Sequence, residues 1–342
     1  MKIFYAVQAT GNGHISRAME LLPHLQRYGS VDIFLSGDNS NLLLDAPVKY
    51  RSKGISLYYN RKGGLNYWHT VKQLRPVELW EEIRDLPVEK YDLVLNDFDF
   101  ITGIACARKR IPSIHFGHQA SFQSDHTPRP EKKSLHGEWL LRNYVKASHH
   151  AGFHFESYDE NIFGAVVKQY IINAAPVDKG HITVYLPSWC EAQLQLLLQA
   201  LPAFRFEVFS RETTTIHKEK NVLFIPVNKE LFNKSLTSCT GIICGAGFET
   251  PAEALQLGKK IMAIPIRGQY EQQCNAAALE QLGVTCLPSA GQHFKQQFYK
   301  WIQAPAPSAK DYSRTIPQCL EHIFSLAESR VMETILAEEI LC

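Results

Sequence analysis

The sequence predicts an α/β protein made of two doubly wound, mainly parallel sheets facing a cleft. Three observations carry that prediction. The chain has 342 residues, a natural length for two domains of about 100–200 residues each. Strand-like and helix-like segments alternate along its length, the pattern of parallel α/β layers. Several strand ends run into glycine-rich or polar turns that open helices, and ligands of such sheets bind outside the carboxyl ends of the strands.

In the first half, strands are expected at Lys2–Val7, Val31–Ser36, Tyr91–Leu95 and Ser113–His115, all short apolar runs. Helices are expected at Ser16–Tyr28, where Ala18, Met19, Leu21, Leu22 and Leu25 recur at helical spacing, and at Leu74–Leu86 and Phe100–Lys109. The stretch Lys49–Thr70 is rich in Tyr, Gly, Lys and Arg, has no sustained period, and reads as strands plus a long exposed loop. Residues 121–150 are polar and rich in histidine. The alternation then restarts, with strands at Ile182–Leu186, Phe206–Phe209, Val222–Ile225, Gly241–Cys244, Lys260–Ile264 and Val284–Leu287. Helices fall between them at Cys190–Gln199, Lys229–Leu236, Pro251–Leu257 and Tyr270–Leu282. A last helical stretch, Ile316–Ile340, follows the linker Ala304-Pro305-Ala306-Pro307. The join between the two domains is expected near 155–180.

Composition bounds the function. A hydrophobic share of 45% and a charged share of 20% are those of a globular protein with full cores. The net charge of +2 is too small to suggest nucleic acid. Residues 1–150 carry 20 Lys and Arg against 15 Asp and Glu, and the remainder 16 against 19. A basic first half fits an anionic substrate or an anionic membrane surface, and it fits an ordinary solvated surface too. No apolar run approaches the ~20 residues of a membrane span. The eight cysteines, at 106, 190, 239, 244, 274, 286, 319 and 342, are scattered with no CxxC pair, as reduced thiols are. No leader pattern precedes the first strand, so a cytoplasmic protein is expected, with the inner face of a membrane allowed.

The loops carry the chemistry. After strand Gly241–Cys244 comes GAGFETPAEALQLGKK. Gly245 and Gly247 let a ligand approach the backbone, and a helix opening near Thr250-Pro251 presents unpaired N–H groups, which together make a phosphate seat. The dinucleotide fingerprint G-x-G-x-x-G is absent. Glu253, one turn in, is placed to accept from two vicinal hydroxyls such as those of a ribose; a carboxylate favoured by the helix dipole explains it equally well. The next strand end, Arg267-Gly268-Gln269-Tyr270-Glu271-Gln272-Gln273-Cys274-Asn275, offers the donors and acceptors that a sugar ring requires, notably Glu271 and Gln272.

At the first strand end stands Gly11-Asn12-Gly13-His14. This G-N-G-H loop, the Gly-x-Gly…Glu-x-Pro-x-Glu-Ala segment and the P-x₅-E-Q-x-x-N segment together resemble a GT-B glycosyltransferase. The likeness is to the group containing the peptidoglycan N-acetylglucosaminyltransferase. It implies two Rossmann-like domains: 1–160 for the acceptor, 175–310 for a nucleotide sugar, and a terminal helix over 311–342 that packs back on the first domain.

The resemblance implies roles, residue by residue. Glu253 would bind the ribose, and Gly245, Ala246, Gly247, Phe248 and Thr250 the diphosphate. Glu271 and Gln272 would grip the donor sugar, and the backbone at Ile225 would lie against the base. By position rather than by the resemblance, Ser188, at another strand-to-helix turn, would stand beside a phosphate, and Arg211 either reaches the diphosphate or is an ordinary exposed loop arginine. Gly11, Asn12 and Gly13 would face the acceptor; His118, read from its place after a strand, either joins them or packs within its polar loop. Transfer with inversion needs a base at the acceptor hydroxyl, and His14 is expected to be it. Asp97, at the end of strand Tyr91–Leu95, is expected to orient His14, with Asp99 the alternate. Asp97-Phe98-Asp99 also reads as a D-x-D metal motif. That reading is set aside because the nucleotide signature lies about 150 residues away, and no metal or other cofactor is expected.

Seven of the fourteen histidines fall between 115 and 154, including the HFGH of His115 and His118, with no ligand spacing that completes a zinc site. Three functions remain in view: an inverting transferase using a nucleoside-diphosphate sugar, expected to carry uridine; a nucleotide-sugar 2-epimerase or hydrolase; and a silent nucleotide-sugar binder. The acceptor is a glycan, a lipid-linked molecule or a small molecule. Tyr58–His69, with Leu65, Tyr67 and Trp68, is a candidate acceptor lid and a peripheral membrane contact.

Overall fold

The computed structural model describes residues 1–9, 11–37, 44–54, 76–291 and 293–340, with side chains up to residue 327. The candidate lid Tyr58–His69 lies outside the described residues, as do Thr10 and the first two residues of the expected helix Leu74–Leu86.

In the first half the elements are β1 (Lys2–Gln8), α1 (Asn12–Leu25), β2 (Ser30–Ser36), β3 (Val48–Ser52), α2 (Pro76–Asp85), β4 (Leu93–Asp97), α3 (Phe100–Lys109), β5 (Ile114–Gly117), α4 (Leu135–Asn143), β6 (His149–Phe153) and β7 (Ile162–Phe163). The second half gives α5 (Gln169–Ile172), β8 (His181–Tyr185), α6 (Glu191–Gln199), β9 (Arg205–Ser210), β10 (His217–Glu219), β11 (Val222–Pro226) and α7 (Lys229–Ser238). It continues through β12 (Gly241–Cys244), α8 (Glu249–Gln256), β13 (Lys260–Ala263), α9 (Tyr270–Gln281), β14 (Thr285–Cys286), α10 (Phe294–Gln303) and α11 (Thr315–Ile340).

Two seven-stranded sheets result, ordered β3-β2-β1-β4-β5-β6-β7 and β10-β11-β9-β8-β12-β13-β14. Every pairing among the described strands is parallel except β10 with β11. Parallel strands covered on both faces should read as continuous apolar runs, and β1 does: Ile3 to Val7 are fully buried. In each sheet the order reverses beside a central strand, β1 or β8, so each sheet has a switch point where a crevice opens. The two crevices face each other.

Helix starts differ from the expectation in a way that matters. The first helix begins at Asn12, four residues before the expected Ser16, with extended Gly11 as its N-cap. His14 is therefore in the first turn of a helix and not on a loop. The strand expected to end at Leu95 runs on to Asp97, which keeps Asn96 and Asp97 in the sheet. Helices α4 and α10 and strand β6 were not expected. In α10 the buried Phe294, Phe298 and Trp301 do carry a helical period.

The last helix returns to the first half of the chain. Tyr28 of the α1 end stacks on Phe324 with ring centroids 3.8 Å apart, and His322 Nε2 lies 3.0 Å from Asn161 Oδ1. Just before it, Tyr312 donates its hydroxyl to the Phe155 carbonyl at 3.0 Å. Among the described residues no helix is long and apolar enough to cross a membrane.

Candidate active site between the two sheets

The centre of the site is a buried charged group on three elements. His14 Nδ1 stands 2.8 Å from Asp97 Oδ1. Arg17, one turn further along α1, donates to the same carboxylate through Nη2 at 2.8 Å and Nε at 3.2 Å. Asp97 is fully buried, and burial alone would raise its carboxyl; the Arg17 guanidinium and His14 outweigh that and hold it down at about 2. An ionised Asp97 fixes the ring tautomer, because an unprotonated Nδ1 at that distance would set two lone pairs against each other. Arg17 Nη2, which can only donate, lies 3.0 Å from the same Nδ1 but has the Asp97 oxygens to serve at 2.8 and 3.0 Å, so the proton is assigned to Nδ1, donated to Asp97, with Nε2 left as the basic nitrogen.

Local backbone geometry explains how one strand end serves two tasks. Phe98 is left-handed, with φ of 59°. A bulky residue there is strained, and such strain concentrates at working sites. The turn leaves Asp97 facing the cleft and sends Asp99 the other way, where its Oδ2 accepts from the Thr102 N–H at 2.6 Å and caps α3. Asp97, not Asp99, is the partner of His14. The Phe98 ring lies parallel to His14 at 6.4 Å and to His115 at 6.0 Å.

Two cavities adjoin this group. The larger, about 330 Å³, is lined by Asn12 and Gly13 on one side and by Ser188, Arg211, Gly245, Gly247, Phe248, Thr250 and Glu253 on the other. A smaller one, about 220 Å³, is lined by Gly11, Gly13, His14, His118, Glu271 and Gln272 among others. Gly13, Gly247, Phe248, Glu249 and Gln272 line both, so the cavities share a wall.

Most residues expected for nucleotide-sugar binding thus meet at one place, with exceptions. Ile225 does not line the larger cavity. Strand β11 runs one residue past it, and Val227, Asn228 and Lys229 form the wall instead, while Ile225 faces a separate cavity. Ala246 is fully buried behind the turn, its carbonyl accepting from Asn275 Nδ2 at 3.2 Å. Asn12 lies on the larger cavity rather than the smaller. Gln272 spends its Oε1 on the Ile266 N–H at 2.9 Å and so holds the loop after β13. Glu271 accepts from Gln119 Nε2 at 3.1 Å, and burial raises its carboxyl.

His118 is 1% exposed and stacks face to face on Phe248 at 4.0 Å, across from one sheet to the other. Its ring nitrogens lie 2.9 Å from the Phe153 carbonyl and 3.0 Å from Asn275 Oδ1. Burial holds it neutral, down at about 3. It is engaged in joining the two halves of the chain at the edge of the smaller cavity.

Sequence reasoning missed three residues. Arg17 is one; with the helix started at Asn12, the i, i+3 spacing puts it on the face of His14, and that signal was legible. Glu249 is the second: its Oε1 accepts from Arg17 Nη1 at 2.7 Å, across the cleft. The third, Lys168 just before α5, places Nζ 2.8 Å from Glu253 Oε1, inside the larger cavity. Nothing in the linker sequence marks it.

The comparisons with known proteins agree with this fold. Among solved structures, the glycosyltransferase of kitacinnamycin is 15% identical with a TM-score of 0.56, covering 94% of this chain and 93% of its own. UGT2 of Phytolacca americana, complexed with UDP-2-fluoro-glucose and pterostilbene, is 13% identical with a TM-score of 0.57, covering 94% and 93%. MurG of Acinetobacter baumannii is 14% identical with a TM-score of 0.53, covering 96% and 99%. At such identities the likeness is one of fold, the GT-B arrangement of two α/β domains. A search of curated proteins found no match. The profile of glycosyl transferase family 1 matches residues 1–299, every strand of both sheets with the cleft between them, and the chain belongs to that family of glycosyltransferases.

Proposed function

We propose that the chain is an inverting, metal-independent glycosyltransferase that moves a sugar from a nucleoside-diphosphate sugar, uridine-linked, to an acceptor hydroxyl. The observation that carries this is the His14–Asp97 pair, 2.8 Å apart at the mouth of the smaller cavity and next to the larger one. The diphosphate sits at the Gly245–Thr250 turn, where the N-terminus of α8 favours negative charge. Glu253 takes the ribose, and Glu271 and Gln272 the sugar. His14 Nε2 accepts the proton of the acceptor hydroxyl as that oxygen bonds to the anomeric carbon. The bond from that carbon to the β-phosphate oxygen breaks, and the nucleoside diphosphate leaves with the electron pair. Asp97 orients the ring and stabilises its cationic form. Nucleoside diphosphates in related folds support the donor class: the Streptomyces enzyme SsfS6, 16% identical here, is described in complex with thymidine diphosphate.

His14→Ala tests the reading. Turnover should fall by roughly 10²- to 10⁴-fold, the usual scale of acid–base catalysis, with UDP binding retained because the other domain holds it. Melting temperature on the same preparation separates this from a folding defect. A well-folded variant with near-normal turnover overturns the proposal. Incubating the nucleotide sugar without acceptor separates an epimerase or hydrolase from a transferase, since only the first two consume it.

A further inference from the structure

Glu249 is the first residue of α8, on the turn proposed to seat the diphosphate. A carboxylate at that position ordinarily stays by its own helix, where the N-terminal N–H groups favour it. Here it reaches across the cleft. Its Oε1 accepts a hydrogen bond from Arg17 Nη1 at 2.7 Å, and its carboxylate lies against Gly13, where a Cβ would stand 2.5 Å from Oε2. Arg17 is 2% exposed and spends its other donors on Asp97, while its Nη2 comes within 3.0 Å of His14 Nδ1. One guanidinium therefore bridges the carboxylate that orients the base and a carboxylate on the donor turn.

The charges make that bridge informative. With His14 neutral, Asp97, Glu249 and Arg17 sum to one negative charge, and they reach neutrality when His14 takes the acceptor's proton. Without Glu249 the group would begin neutral and end with an unbalanced cation in a buried site, which low-dielectric surroundings penalise. Glu249 also carries a cost for the donor, since it sets a negative charge beside the diphosphate and keeps an arginine proton away from it.

We infer that Arg17 and Glu249 are positioning residues forming a charge link across the cleft, which couples the His14–Asp97 pair to the diphosphate turn and trades affinity for the nucleoside diphosphate against turnover. The inference rests on the proposed roles of His14 and the Gly245–Thr250 turn. Glu249→Gln keeps the shape and removes the charge. The expected result is a split: kcat falls about tenfold, and UDP binds several-fold more tightly by calorimetry, because the repulsion is gone and Arg17 is free to turn towards the diphosphate. Glu249→Asp, which restores the charge at a shorter reach, should recover part of both effects. A merely structural salt bridge would instead lower the melting temperature and weaken both quantities or neither. If kcat and UDP affinity in Glu249→Gln stay within twofold of wild type, or fall together, the link is refuted. Failure of UDP to bind the wild-type protein counts against the donor reading instead, and the two failures are told apart by that control.

Discussion

Lys168 Nζ is 2.8 Å from Glu253 Oε1, and both side chains are largely buried at the inner end of the larger cavity. Burial raises the Glu253 carboxyl and Lys168 opposes that rise. Removing one partner of a buried pair leaves the other charge uncompensated, at a cost of roughly 3–5 kcal/mol. Lys168→Ala should therefore destabilise the fold by about that amount in urea unfolding, and Lys168→Met with Glu253→Gln should recover most of it. Equal losses in the single and double variants would show that the pair is not coupled.

Glu253→Ala should weaken UDP binding per folded molecule, over and above the stability it loses with the Lys168 pair. A hydrogen bond to a charged group contributes roughly 1.5–3 kcal/mol, or about 10- to 150-fold in affinity. Because Lys168 loses its partner too, Glu253→Gln is the companion variant. Unchanged affinity in both means that the ribose lies elsewhere.

Transfer should persist in EDTA. Asp97 is committed to Arg17 and His14, and Asp99 to the Thr102 N–H, so the two carboxylates point to different partners. Complete loss of activity in EDTA, restored by magnesium, would revive the D-x-D reading.

Gly117→Ala should damage catalysis more than stability. A Cβ there would stand 2.4 Å from Asp97 Oδ1, in the middle of the charged group. Overpacking of this kind costs roughly 1–3 kcal/mol, and the displaced atom is the one that orients His14. The expected result is a kcat reduced at least tenfold, with KM for the donor little changed. A variant with wild-type kcat would mean that Asp97 can move without consequence.

Stability should fall as pH drops from about 6.5 to 5. His118 has a folded value of about 3, below its unfolded 6.5. The unfolded chain then binds a proton in this range that the folded one refuses, so stability is full above 6.5 and is lost as pH falls towards 3. His115, also pushed down to about 3 by burial, acts in the same direction. The raised carboxyls of Glu253 and Glu271 act oppositely, so the comparison is best made between variants. His118→Phe keeps the ring against Phe248 and should remove one proton's dependence, about 1.4 kcal/mol per pH unit. An unchanged slope would place the titration elsewhere.

The architecture was legible because parallel strands buried on both faces leave uninterrupted apolar runs, as in Ile3–Val7 and Gly241–Cys244. Of the elements that escaped, β6 opens on the half-buried His149 and His150, which break its apolar run, and α4 buries only Leu141, so neither shows a clear period; α10 was missed although its period was there. The turns of the site were legible too, because glycines, a histidine and a carboxylate pair mark strand ends. Its wiring was not. Lys168 and Glu253 are 85 positions apart, and Arg17 and Glu249 are 232 apart, so no local period links either pair.

The return of α11 to the first sheet has a mechanical consequence. The polypeptide crosses between the two bodies twice, once after β7 and once before α11, and near both crossings Tyr312 and Phe155 are joined. A body held by one strand can swivel about many axes, whereas one held by two adjacent strands turns about the line through them. Two such connections side by side would restrict any opening of the cleft towards rotation about the line through them, and that rotation would part Gly13 from Gly247.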